Sequence, residues 1–241
     1  MTREKIKAQI FARYPYRIEL HAHTTPASVC SDITPKVLVE TYKKLGYDAV
    51  VVANHFVHGS KGETAKENVD ILMHDYEQTK KYGDELGIKV YLGAEIRFWE
   101  NSNDYLIFGI TEEMLTEIYE LLPYGVEKFR KNYSMPDSLF IQAHPMRNGM
   151  EVVDPALLDG MEVFNMHPHH NSRVGLASVY ARENHIPIII AGSDFHHPNK
   201  KHEGVAALLT ERLPEDSFDL AKLIKDGDYL LEVGQSSIVI P

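Results

Sequence analysis

Residues 50–55 read Val-Val-Val-Ala-Asn-His, an almost unbroken apolar run that ends in two polar side chains. A half-exposed strand alternates apolar and polar residues, whereas a continuous run suits a strand covered on both faces, as in a parallel sheet. The pattern recurs outward in both directions. Residues 16–23 form the first candidate strand, and 89–95 (KVYLGAE), 105–109 (YLIFG), 139–143 (LFIQA), 161–165 (MEVFN) and 187–192 (PIIIAG) follow. Between them lie helical segments with their own punctuation. Thr34-Pro35 supplies an N-cap and a proline at the first helical position, and Gly46 ends that segment. Residues 64–86 form a long amphipathic candidate stopped by Gly87, and 111–122, 172–184 and 215–225 complete the alternation. About seven βα units predict an α/β fold, a distorted (β/α)7 TIM-like barrel with a metal site at the C-terminal ends of the strands. A doubly wound open sheet has much the same pattern, but its usual glycine-rich phosphate loop is missing.

The bulk composition sets limits on this reading. A chain of 241 residues with 44% hydrophobic character can bury one sizeable core, and no repeat, linker or low-complexity segment divides it, so residues 1–241 are expected to form a single domain. No apolar run is long enough to span a bilayer, and no signal-peptide pattern is present. The single cysteine, Cys30, cannot form an intrachain disulfide, so a cytoplasmic location is the expectation. A formal charge of −10 argues against nucleic acid as a structural partner. It leaves room for a small anionic substrate, because bound divalent ions reverse the local field.

The 13 histidines are the informative residues, because several stand where the strands are expected to end. His21 and His23 close the first candidate strand, His55 follows the second, and Glu95 ends the third. His144 follows LFIQA, and Asp194 and His196 follow PIIIAGS. In a βα barrel that end forms the active-site face, so residues far apart in sequence would converge on one mouth. His21 and His23 are two apart, as are Asp194 and His196, and positions i and i+2 of an extended strand share a face. Each pair can therefore present two ligands together. Imidazole with carboxylate and without thiolate pairs suits Zn, Mn or Fe in place of a structural cysteine site. Glu95 can bridge two ions through its two oxygens.

These residues resemble the motifs of a known family. LHAHTTPASVCSDITP, residues 20–35, is similar to the first motif of the PHP (polymerase and histidinol phosphatase) superfamily, in which His-x-His-Thr is followed by Ser-Asp. VVVANHF resembles the second motif, usually Thr-Asp-His, with Asn54-His55 in this chain. LGAEI resembles the third, and QAHP and GSDFH resemble the later His and Asp-x-His motifs, so the likeness covers residues 17–197. The resemblance implies a distorted seven-stranded barrel, up to three metals and hydrolysis of phosphate esters. It implies His21, His23, Glu95 and Asp194 as ligands of one metal, Asp32, His55 and His196 as those of another, and Glu95 and His144 for the remaining ion. One histidine common in three-metal members is missing, since none occurs between His74 and His144. Asp104 or a water would substitute, or the chain would hold two ions; two or three divalent ions (Zn, Mn or Fe) are therefore expected.

Clustered divalent ions can hold a bridging hydroxide at neutral pH, and in-line attack on phosphorus is the expected chemistry. The expected substrate is a small phosphate monoester, histidinol phosphate or a nucleotide among the candidates. His196 or His167 would protonate the leaving oxygen. Arg97, Arg147 and Arg173 fall near the expected mouth, and a guanidinium can grip a phosphate through two hydrogen bonds. Arg147, three residues after His144, is the first choice. His167, His169 and His170 in NMHPHHN are read as a substrate-facing loop, with replacement of the missing ligand as the alternative. Trp99, Phe98 and Cys30 are read as packing residues, and His58, His74, His185, His197 and His202 as ordinary histidines. An amidohydrolase also begins with His-x-His on a barrel, but typically uses a bridging lysine where this chain has Gly-Ala-Glu. A non-catalytic metal-binding module is the other rival.

Overall fold

The computed structural model of the chain describes residues 2–198, 203–234 and 237–241. His202 lies outside the described residues. In chain order the elements are α1 (Arg3–Arg13), β1 (Tyr16–Ala22), α2 (Pro35–Lys44), β2 (Ala49–Val52), β3 (His55–Val57), α3 (Ala65–Leu86), β4 (Lys89–Arg97) and β5 (Asp104–Phe108). There follow α4 (Glu112–Leu121), α5 (Val126–Asn132), β6 (Leu139–Gln142), β7 (Gly160–Asn165), α6 (Val174–Glu183), β8 (Ile189–Gly192), β9 (Ala206–Thr210), α7 (Ser217–Asp226), β10 (Tyr229–Val233) and β11 (Ser237–Val239).

The helix boundaries follow the local chemistry. Thr34 caps α2 by accepting the Val37 N–H, with Pro35 at its start. Thr64 and Glu67 form a reciprocal capping box at the head of α3. Gly87, with φ 66°, ends α3 in the left-handed conformation that glycine adopts without a steric penalty.

The strands form one mixed sheet in the order β11-β10-β9-β1-β2-β4-β5-β6-β7-β8, with β3 paired to β4. Two parallel blocks, β1-β2-β4 and β6-β7-β8, flank β5, which runs antiparallel to both its neighbours. The reason is length: residues 98–103 separate β4 from β5, and a parallel crossover needs about a dozen residues or more. On the other side of β1, the strands β9, β10 and β11 add an antiparallel extension. The sheet curls so that Phe195, just beyond β8, bridges to Ala22 at the end of β1. No continuous ladder joins β8 to β1 among the described residues, so the sheet is open. The fold is therefore mixed α/β with a curled sheet, and the repeated βα barrel expected from the sequence is corrected at β5, at β9–β11 and at the open seam.

Apolar residues of β1, β2, β5, β6, β8 and β9, such as Ile18, Val51, Leu106, Ile141, Ile190 and Leu208, share one core with Leu220 and Ile224 of α7. The helices α3, α4 and α6 cover a second core that includes Leu72, Ile118, Ala177 and Phe140. This packing holds the strands in register and turns the polar carboxyl ends of the parallel strands, with the start of β5, to one mouth. No helix among the described residues is long and apolar enough to cross a membrane.

Candidate metal centre

The mouth is built around Glu95, which lies within β4 and is wholly buried. Its Oε1 is 3.4 Å from His21 Nε2 and 3.1 Å from His144 Nε2. Its Oε2 is 2.8 Å from His55 Nδ1 and 3.6 Å from His23 Nε2. Asp194 forms a second acidic pole, with Oδ1 3.4 Å from His23 Nε2, 3.6 Å from His21 Nε2 and 3.2 Å from His196 Nδ1. Four overlapping groups have all their donor atoms within 4.8 Å of one another: His23, His55 and His196; His21, His23 and Glu95; His167, Asp194 and His196; and His55, Glu95 and Asp104.

Backbone geometry puts these side chains in place. His21 and His23 project from the same side of the β1 segment. His144 and Asp194 stand two residues beyond the ends of β6 and β8 and have φ of 30° and 52°. That left-handed conformation is costly for residues with a Cβ, and such strain concentrates where surrounding structure fixes a functional side chain. Gly192 allows a close approach, because a Cβ there would run into the Glu162 carboxylate and the Cβ of His21.

Outer partners orient the donors. Glu162 Oε1 lies 2.8 Å from His21 Nδ1, while Oε2 accepts the His144 N–H at 3.0 Å and the Asn165 amide at 3.0 Å. Ser28 Oγ meets His23 Nδ1 at 3.2 Å and is itself bonded to Asn54. Carboxylate or hydroxyl contacts on the far ring nitrogen fix a metal-binding imidazole in orientation. Glu19, buried in β1, accepts the N–H groups of His21 and Ser193 and the hydroxyls of Tyr42 and Ser193. Sequence reasoning missed Glu19 and Glu162, although an acidic residue inside RIEL or MEVFN was the available signal.

The electrostatics are those of a buried acidic centre. Burial pushes Glu95 up, but His55 and His21 outweigh it and hold its carboxyl well below the usual range. Asp194 is likewise well below its range despite burial, through His21, His196 and His23. Burial opposes charge on His55 and His196, yet Glu95 and Asp194 raise them to about 10 and about 9. His21 is raised well above its ordinary value against burial by Glu162, Asp194 and Glu95, whereas burial and the neighbouring His196 drive His23 well below. Positive charge is what the two carboxylates require, and protons and a divalent cation compete to supply it. His21 Nε2 and His23 Nε2 are buried without a hydrogen bond. Those lone pairs, converging with two carboxylates, fit a divalent metal.

The remaining expected residues fall into place as follows. Asp104, at the start of β5, lies 3.7 Å from His144 Nε2 and is clamped by two 2.7 Å bonds from Arg97. Asp32 stands apart from the four donor groups: its side chain is 76% exposed and pairs with His197 at 2.8 Å. Arg147 Nη1 is 4.0 Å from Asp194 and Nη2 is 3.1 Å from His170 Nε2. Arg173 points to the Met146 carbonyl and Asn148, so it braces the Arg147 loop. His167 is buried beside His196, whereas His169 and His170 are exposed. His58 stacks on Tyr119, and Phe98 is buried among aromatic residues while Trp99 is largely exposed. Cys30 is exposed at the mouth. Burial would raise its thiol, but the neighbouring His196 and His55 prevail and lower it to about 6. A cavity of about 580 Å³ opens over this cluster, lined by Arg97, Arg147, Lys61, His167 and His197 among others.

No family model matches the chain, and no curated protein matches it. Solved structures do. A two-domain protein from Bacteroides vulgatus, containing an inferred PHP-like metal-dependent phosphoesterase, superposes with a TM-score of 0.61 at 15% identity over 91% of this chain. The match spans 65% of that protein. A Bifidobacterium adolescentis protein, inferred to be a metal-dependent phosphoesterase, gives 0.50 at 18% identity, covering 86% of this chain and 96% of its own. A lesion-specific endonuclease from Pyrococcus furiosus gives 0.55 at 15% identity over 90% of this chain and 57% of its own. The fold of this chain is the one found in PHP-like metal-dependent phosphoesterases, as its sequence motifs imply.

Proposed function

We propose that the chain is a metal-dependent phosphoesterase that hydrolyses a small phosphate monoester, with two or three divalent ions (Zn, Mn or Fe) as cofactors. The observation that carries this reading is Glu95: one buried carboxylate with His21, His23, His55 and His144 all within 3.6 Å. His21, His23, Glu95 and Asp194 would hold one ion, His55 and His196 would serve a second, and Glu95, His144 and Asp104 a third. Ions bound there would supply Lewis-acid charge and activate water at neutral pH. Arg147, on the cavity wall, is suited to grip a phosphate oxygen pair, and His196 or its neighbour His167 to return a proton to the leaving oxygen.

Phosphodiester hydrolysis is a second reading, supported by the fold shared with the lesion-specific endonuclease. A net charge of −10 favours a small substrate over a nucleic-acid polyanion. The test is metal content and turnover together, for wild type and Glu95→Ala, with p-nitrophenyl phosphate, its diester and a panel of biological phosphoesters under added Mn, Zn or Fe. The expected result is two or three metals per chain and monoester turnover in wild type, with both metal and turnover lost in the variant. Faster diester turnover would select the second reading. Bound metal without any phosphoester turnover would support an amidohydrolase-type enzyme or a metal-binding module, and a fully active Glu95→Ala would overturn the site.

A further inference from the structure

Arg97 and Asp104 are direct partners across the antiparallel pair β4 and β5, and residues opposite one another on such strands share a face. The register delivers a buried clamp. Arg97 Nε and Nη2 each donate to one oxygen of the Asp104 carboxylate at 2.7 Å, and that carboxylate is 2% exposed. Asp104 also belongs to the donor group of His55 and Glu95, and its Oδ2 is 3.7 Å from His144 Nε2. A third ion at this position would therefore need a carboxylate that a guanidinium already holds by both oxygens. A carboxylate oxygen can accept twice, but the ion would then stand one oxygen away from a fixed positive charge, in a buried setting where little solvent screens the two.

The histidines divide along the same line. His21 and His23 rest their Nδ1 atoms on Glu162 and Ser28, and their Nε2 atoms are buried without a hydrogen bond, as nitrogens facing a metal would be. His144 is reversed. Its Nε2 meets Glu95 at 3.1 Å and its Nδ1 is the buried atom without a partner, so no outer contact fixes the ring as a ligand. Charge agrees with geometry. Glu95, Asp194 and Asp104 are the carboxylates of the four donor groups. Two divalent ions together with Arg97 already exceed their negative charge, leaving the surplus that a phosphoryl dianion requires. A third ion would enlarge that surplus with no further carboxylate in those groups to offset it.

On the reading of the cluster as a metal site, which allows two ions or three, we propose that the Arg97 guanidinium takes the place of the third. Asp104 is then the counter-charge of Arg97 and not a metal ligand, and the centre holds two ions. The partly exposed Arg97 lines the cavity, so the guanidinium N–H groups that the clamp leaves over stand on the wall that a substrate would meet.

Counting bound ions tests this directly. Metal-free wild type, Asp104→Asn, Arg97→Met and the double variant Arg97→Met/Asp104→Asn are dialysed to equilibrium against saturating Mn(II) alone. Bound manganese per chain is measured, with circular dichroism to check each fold. The expected result is two ions in wild type and in Asp104→Asn. Arg97→Met is expected to bind three, because the freed Asp104 carboxylate joins Glu95 and His144, and the double variant returns to two. Three ions or one in wild type, or any loss in Asp104→Asn, overturns the inference while leaving the metal centre standing. Two ions in a folded Arg97→Met also overturn it, because the guanidinium would then not be what fills the position. Should Arg97→Met unfold around its unpaired Asp104, wild type and Asp104→Asn decide the matter. Wild type that binds no manganese overturns both this inference and the metal-centre reading.

Discussion

β1 and β7 both end at the mouth, both carry a buried glutamate, and both run into a loop bearing histidines, yet they hold those loops differently. After β1, Thr24 donates from its N–H to Asn54 and from its hydroxyl to Asp75, which also accepts the Ala27 N–H at 2.9 Å. Ser28 bonds to Asn54 and accepts the His55 N–H. These groups are buried, so two side chains from distant elements fix the loop that leads to Cys30. After β7, Ser172 bonds to Asn165 and the His169 N–H to His167, but residues 168–171 are exposed and His170 meets His167 of its own loop and the partly exposed Arg147. A loop anchored through buried polar groups can place metal donors to within a few tenths of an ångström. A loop anchored at its two ends can move to admit a substrate.

The largest expected effect comes from breaking the anchored side. Asp75→Ala leaves a buried hydroxyl and a buried N–H without their acceptor, and the expected cost is about 3 kcal/mol by urea denaturation. His170→Ala on the other loop is expected to stay within about 0.5 kcal/mol of wild type. Equal costs for the two variants would erase the contrast.

The glutamate beneath the loop after β1 carries a test of its own. Burial pushes Glu19 up to about 7 against its ordinary 4.5, even though Ser193, His21 and Tyr42 donate to it. Because the folded value is raised, its contribution to stability is fully present below the unfolded pKa and is lost as pH rises through 7. Between about pH 5 and about pH 8, metal-free wild type should lose about 2–3 kcal/mol relative to Glu19→Gln, which has no carboxyl to ionise. Parallel pH profiles of the two proteins would show that the burial cost is met in another way.

Much of this was readable because it is locally determined. Thr34-Pro35, Thr64 with Glu67, and Gly87 set helix ends through chemistry that spans a few residues. The convergence of His21, Glu95 and Asp194 followed from placing polar residues at the ends of apolar runs. The direction of β5 and the pairing of β9 with β1 are set by connection length and by partners far away in sequence, which an apolar pattern does not encode. Glu19 and Glu162 were concealed by their apolar neighbours in β1 and β7. That Asp32 turns outward to His197 depends on how Ser31 hooks onto two carbonyls, and spacing within SVCSD carries no trace of that.

A smaller effect than at Asp75 or Glu19 is expected at Arg147, which decides to which side of the comparison the mouth belongs. Its guanidinium lies 4.0 Å from Asp194 and 3.1 Å from His170, so it touches both the acidic centre and the exposed loop. If it serves the centre, by offsetting the charge of Asp194, removing it should change how tightly metal is held. If it serves the substrate, metal content should stay constant while KM rises. The half-exposed setting and the bracing of its loop by Arg173 favour the second outcome. Arg147→Ala is therefore expected to raise KM for a phosphoester about tenfold, equivalent to about 1.4 kcal/mol, with kcat and bound metal unchanged. Arg147→Lys sharpens the result: a lysine keeps the charge but loses the two-pronged geometry, so it should recover only a minor part of the loss. Full recovery by lysine would reduce the role to a diffuse positive field. Loss of metal from Arg147→Ala would place the loop after β7 with the ligand scaffold and collapse the distinction between the two loops.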